Sequence, residues 1–120
     1  MKIAISMLVL VCAIFFTVPL FAADPLEVAP GIYKRLFEND QVRVLELTAK
    51  SGDKIPEHSH PNHFVYAMSD ATLEITKEGV AQVVETKKGQ VLWLNAETHS
   101  TVNIGPTEFH GLVVELKEKG

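Results

Sequence analysis

The chain has 120 residues, 11 Lys and Arg against 15 Asp and Glu, a formal net charge of −4 and a single cysteine. This length fits one domain with or without a targeting segment. The acidic balance argues against nucleic acid or an anionic membrane as partner, since either calls for a basic surface. With Cys12 alone, in an apolar N-terminal stretch, a disulfide framework and a zinc ribbon are excluded, and the rest of the chain has no cysteine nucleophile.

The first element in chain order is a leader. Lys2 gives a positive start, Ile3 to Val18 is almost wholly apolar, Pro19 breaks it, and Ala22 and Ala23 are small residues ahead of Asp24. This is the layout of a secretory signal peptide over residues 1–22, cleaved after Ala22. The competing reading is an uncleaved N-terminal anchor, because the run approaches the ~20 residues that span a bilayer. Both export the remainder, residues 23–120, to a periplasmic or secreted location. A membrane association is expected only if the leader stays attached.

From Asp24 onward no apolar pattern of helical period is long enough for a helix. The residues between Asp24 and Gln41 carry no strand signal. Short β-type runs then recur between turn residues: Val42 to Ala49, His63 to Met68, an alternating stretch around Leu73 and Ile75, Val80 to Thr86, Val91 to Leu94, Thr98 to Ile104 and Glu108 to Leu116. Glu78-Gly79 signals a tight hairpin. Evenly spaced strands without helices predict an all-β sandwich or small barrel in one domain.

Two of these strands, Phe64 to Met68 and Val91 to Leu94, are apolar on both faces. A small sandwich buries one face of each sheet, so the second row needs a cover. The expectation is a homodimer partner, or the N-terminal segment carrying Ile32, Tyr33, Leu36 and Phe37.

The chemistry lies in His58-Ser59-His60-Pro61-Asn62-His63 and in Glu97-Thr98-His99. His58 and His60 are two apart and project from one face of a strand. Pro61-Asn62 breaks the alternation and lets His63 turn back toward that face, while His99 would arrive from another strand. Neutral imidazole suits transition metals, and an all-histidine set lacks the hard oxygens that Mg and Ca prefer. A single histidine at a strand start is ordinarily a surface residue; three of the chain's five within six positions point to a shared ligand.

Gly52 followed after five residues by His58-x-His60 resembles the first motif of the cupin family, G-x5-H-x-H-x3-4-E-x6-G. Gly89-x5-Asn95-x-Glu97-x-His99-x3-Asn103 is similar to its second, G-x5-P-x-G-x2-H-x3-N. The resemblance covers most of Val42 to Leu116 and implies an all-β, single-domain cupin, a jelly-roll β-sandwich barrel. It also implies a divalent transition metal (Fe, Ni, Zn, Cu or Mn) held by His58, His60, His63 and His99. The motif glutamate is absent: Tyr66-Ala67-Met68-Ser69-Asp70 matches the stretch that follows it in the family, which places His63 at the glutamate position. The motif glycines become Asp70 and Glu97, the proline becomes Asn95, and His99 comes one residue early.

Such a set contributes no negative charge, so the ion keeps its full Lewis acidity. Four histidines leave about two positions open on six-coordinate iron or nickel, whereas four complete the tetrahedron of zinc. The functional expectation is a small-molecule protein: a dioxygenase-like oxidoreductase acting on a chelating substrate, a non-catalytic binder of metal or small ligand, or a metal-dependent isomerase or lyase. Alternation in Phe109 to Leu116 groups His110 with Leu112, Val114 and Leu116, which predicts that His110 points inward as a base or pocket residue behind the ligands. Glu57 and Glu97 flank ligand histidines and could fix an imidazole tautomer. Arg43 is the cation read as able to meet an anionic substrate, and Asn103 as a strand or turn hydrogen-bonder.

Overall fold

The computed structural model describes residues 23–118; the leader, residues 1–22, lies outside them. A four-residue helix, α1 (Pro25–Val28), precedes nine strands: β1 (Tyr33–Glu38), β2 (Val42–Ala49), β3 (Lys54–His60), β4 (His63–Ala67), β5 (Ala71–Lys77), β6 (Val80–Thr86), β7 (Val91–Leu94), β8 (Glu97–Asn103) and β9 (Phe109–Leu116). They form two antiparallel sheets that enclose the core, one in the order β1-β2-β9-β4-β7 and the other β3-β8-β5-β6. Among the described residues no helix is long and apolar enough to cross a membrane.

Strand alternation puts Leu45, Leu47 and Ala49 of β2, Ala67 of β4, Leu73 of β5 and Phe109 and Val113 of β9 in the interior. The β5–β6 hairpin closes as its sequence signals. Lys77 pairs with Val80, so the loop is Glu78-Gly79, both at positive φ (51° and 76°), as a mirror-image two-residue turn demands.

Two places depart from simple alternation. Asp24 to Glu38, ahead of the first strand read from the sequence, forms α1 and the edge strand β1. Asp24 caps the helix through its Oδ1, which accepts from Leu26 N at 2.8 Å, and Pro25 supplies the fixed φ that suits the first helical position. In β3 the pairing with β8 slips between Ile55, opposite Thr101, and His58, opposite His99. Pro56 and Glu57 therefore face a single residue, Ser100. Pro56 cannot donate to a ladder, and a bulge in an edge strand accommodates it. The extra residue resets the parity, so Ile55, His58 and His60 all face inward while Pro56 and Glu57 stay exposed.

The outer face of the first sheet carries Tyr66, Val91 and Trp93, at 40%, 60% and 55% exposure. The N-terminal segment does not cover it. Tyr33 is buried in the core, and Leu36 and Phe37 are exposed on β1.

Candidate metal centre

The site forms at one end of the interior, where the two sheets face each other. The first sheet offers a cross-strand row: Arg43 of β2 pairs with Glu115 of β9, and Glu115 pairs with His63 of β4. The second sheet offers His58 and His60 from the bulged β3, with His99 of β8 directly opposite His58. All four imidazoles are buried, His58 completely.

His58, His60 and His99 come together so that one ligand atom from each lies within 4.8 Å of the others. Their ring centroids are 4.7 to 5.3 Å apart. His63 stands beside this group, its ring 4.5 Å from that of His60 and 6.5 Å from that of His99.

Every one of these rings is anchored through Nδ1. His58 Nδ1 donates to Pro56 O at 2.8 Å and His63 Nδ1 to Pro61 O at 2.7 Å; a carbonyl can only accept, so the proton sits on nitrogen. His60 Nδ1 donates to Glu115 Oε2 at 2.7 Å and His99 Nδ1 to Glu97 Oε2 at 3.0 Å. In each ring Nε2 is left as the atom that can bind a ligand, and on His58 it accepts from the Tyr33 hydroxyl at 3.3 Å. This is how metal-ligating histidines are ordinarily held, with the far nitrogen tied to a carboxylate or carbonyl.

The electrostatics agree. Burial pushes His58 and His63 down to about 4, helped by neighbouring imidazoles and opposed by the carbonyls of Pro56 and Pro61. Burial also lowers His99, against the hydrogen bond to Glu97. These rings are neutral at physiological pH and offer lone pairs without first losing a proton. Glu115 would be pushed up by its burial, but hydrogen bonds from His60 and Arg43 outweigh this and hold it below the ordinary carboxylate range. The donor set thus fits a divalent transition metal, and the His58, His60 and His99 group could hold such an ion.

Three sequence expectations change. His110 does not face the site. The buried row of β9 is Phe109, Gly111, Val113 and Glu115, and His110 lies on the outer face with its Nε2 3.3 Å from Glu46 Oε2. Counting apolar side chains chose the wrong row, because the inner row spends one position on a glycine and one on a carboxylate. Arg43 is not free to meet a substrate: its Nε donates to Glu115 Oε1 at 2.6 Å and its terminal nitrogen to Asp24 Oδ2 at 2.7 Å. Glu57 is exposed and touches no ligand histidine, whereas Glu97 does.

Two site residues escaped the sequence reading. Glu115 looks like a solvated charge near the chain end; only its alternation with Val113 marks it as inward. Tyr33 sits in a stretch without strand signal. Asn103 is the turn hydrogen-bonder it was read to be, donating to Ala49 O and Thr107 O and accepting from Gly105 N.

His60, His63 and His99 open into a cavity of about 160 Å³, whose walls include Tyr33, Leu47, Val65, Leu73, Ile75, Leu92, Phe109 and Val113.

No protein-family profile matches the sequence, and no curated protein does. Solved structures do. A cupin domain from Bordetella pertussis superposes with a TM-score of 0.68 at 21% identity, covering 72% of this chain and 93% of that one. An RmlC-like cupin family protein with a double-stranded β-helix fold from Methanocaldococcus jannaschii gives 0.60 at 15% identity, over 72% and 79%. A predicted oxalate decarboxylase from Thermotoga maritima gives 0.55 at 20% identity, again over 72% and 79%. The described chain therefore has the cupin fold, a double-stranded β-helix, with a buried histidine group in its interior that could hold a metal ion.

Proposed function

We propose that the protein is a metal-dependent oxidoreductase of the dioxygenase kind, exported from the cytoplasm and acting on a small chelating substrate. The observation that carries this reading is the set of four buried imidazoles with every Nδ1 proton already engaged. His58, His60 and His99 would hold the metal, with His63 as a fourth ligand. A divalent transition metal bound there supplies a Lewis acid undiminished by ligand charge, and iron adds one-electron chemistry with dioxygen.

The protein's own groups do the rest. Glu115 and Glu97 fix the orientation of His60 and His99, and Arg43 keeps Glu115 ionised. The Tyr33 hydroxyl, held neutral by burial, donates to His58 Nε2 and would be released toward a substrate oxygen once a metal takes that nitrogen. The apolar walls keep bulk water from the reacting end.

A second reading, capture of a metal or a metal-chelating ligand without turnover, is favoured by one feature. Besides the imidazoles, Tyr33 and two threonines, Thr86 and Thr101, the cavity wall has no polar side chain to move a proton. Metal analysis of protein purified from its own compartment, followed by oxygen uptake with acetylacetone or catechol, separates the two. Iron with oxygen consumption supports the enzyme. Stoichiometric zinc bound by four nitrogens, without uptake, replaces it with capture.

A further inference from the structure

The cavity in front of the imidazoles also limits what can enter it. Among the described residues its lining contains no Lys, Arg, Asp or Glu. The charged groups of the site all stand behind the histidines and are spent there: Glu115 on His60 and Arg43, Arg43 also on Asp24, and Glu97 on His99. Thr86 Oγ1 donates to the carbonyl of Ser69 at 3.2 Å, so its proton is engaged as well. Leu73, Ile75 and Val84 of the second sheet with Val65, Phe109 and Val113 of the first make the rest of the wall hydrocarbon, broken by the neutral hydroxyl of Thr101. A carboxylate or phosphate against that wall would lose its hydration and gain no partner.

Size sets the second limit. A cavity of roughly 150 Å³ lined by aliphatic and aromatic side chains admits benzene, and this one measures about 160 Å³. The imidazoles gather at one end, at His60, His63 and His99, with the Tyr33 hydroxyl beside His58, and elsewhere the wall offers only the neutral hydroxyls of Thr86 and Thr101.

We propose that the cavity selects a neutral molecule of about one aromatic ring, carrying a hydroxyl-type group at the histidine end and no charge elsewhere: a phenol-class ligand. The inference rests on the metal-site reading only for which end takes the oxygen; the charge and size limits come from the walls and hold with or without metal.

The test uses the full exported chain, as purified and after chelation, titrated with phenol and with benzoate at neutral pH and followed by calorimetry. The pair shares a ring and differs in charge. Phenol is expected to bind the chelated, metal-free protein at least about tenfold more tightly than benzoate, whose carboxylate meets only acceptor nitrogens at the histidine end. Ile75→Trp, which fills the cavity from its wall, should abolish phenol binding. Val84→Lys, which places a cation in the wall, should raise benzoate affinity above that of the unaltered protein. Equal binding of the two probes to the chelated protein, or binding of neither, overturns the proposal, as does phenol binding unchanged by Ile75→Trp. Phenol binding to a protein that takes up no metal would sink the metal reading and leave this one standing.

Discussion

His60 Nδ1 donates across 2.7 Å to Glu115 Oε2, and the other oxygen of that carboxylate accepts from Arg43 Nε at 2.6 Å. Arg43 in turn reaches the Asp24 side chain that caps the N-terminal helix. A candidate ligand is thus oriented by a chain of charge-assisted hydrogen bonds spanning three strands and the segment ahead of them.

Glu115→Gln keeps the shape of that link and removes its charge. Metal affinity, measured by competition with a chromophoric chelator, should fall by roughly 10- to 100-fold. His110→Gln, on the outer face, should leave affinity unchanged.

His60→Ala and His99→Ala should each abolish stoichiometric metal binding. His63→Ala separates three ligands from four: a weakened but retained ion, with a changed coordination number by X-ray absorption, is the outcome expected if His63 is the fourth ligand.

The metal-free protein should lose stability in mild acid. His58 and His63 titrate near 6.5 when unfolded and at about 4 when folded, so between those values the unfolded chain binds more protons. Their contribution is fully present above pH 6.5 and is lost as pH falls toward 4. Tm, followed by circular dichroism, should therefore decline across that window. Simultaneous His58→Gln and His63→Gln substitution should flatten the decline.

Gly111→Ala tests the packing behind the cavity. A Cβ at this position would stand 2.9 Å from the Phe109 ring and 3.1 Å from Tyr66 O, and the backbone oxygen cannot yield as a side-chain tip can. Overpacking of this kind costs about 1–3 kcal/mol, which for a domain of this size is a Tm drop of roughly 4–8 °C per kcal/mol.

Tyr66, Val91 and Trp93 leave an apolar outer face that the N-terminal segment does not cover, and a second copy of the chain is the expected partner. Light scattering after size exclusion should give a dimer mass. Tyr66→Asp with Val91→Asp should give a monomer.

Much of the barrel could be read from alternation and turn residues, because half-buried strands announce themselves with a period of two. The Glu78-Gly79 hairpin and the shared face of His58 and His60 belong to that part. What alternation could not settle was which face lies inside. In β3 the answer depends on a bulge at Pro56-Glu57, and in β9 on a buried carboxylate held by partners far away in sequence. Tyr33 was missed for a related reason, since its order comes from a tertiary bond to His58 and leaves no local pattern; Asp24-Pro25 carries a local cap signal, but not its bond to Arg43.

The direct pairing of His58 with His99 has a further consequence. His99 joins His58 and His60 only when β3 and β8 zip together, so an extended chain carries at most the His58-x-His60 pair and not the three-ligand set. If the protein crosses a membrane unfolded, it would arrive empty and choose its ion from whatever the far side supplies. Its cargo would then be dictated by the compartment in which the barrel closes.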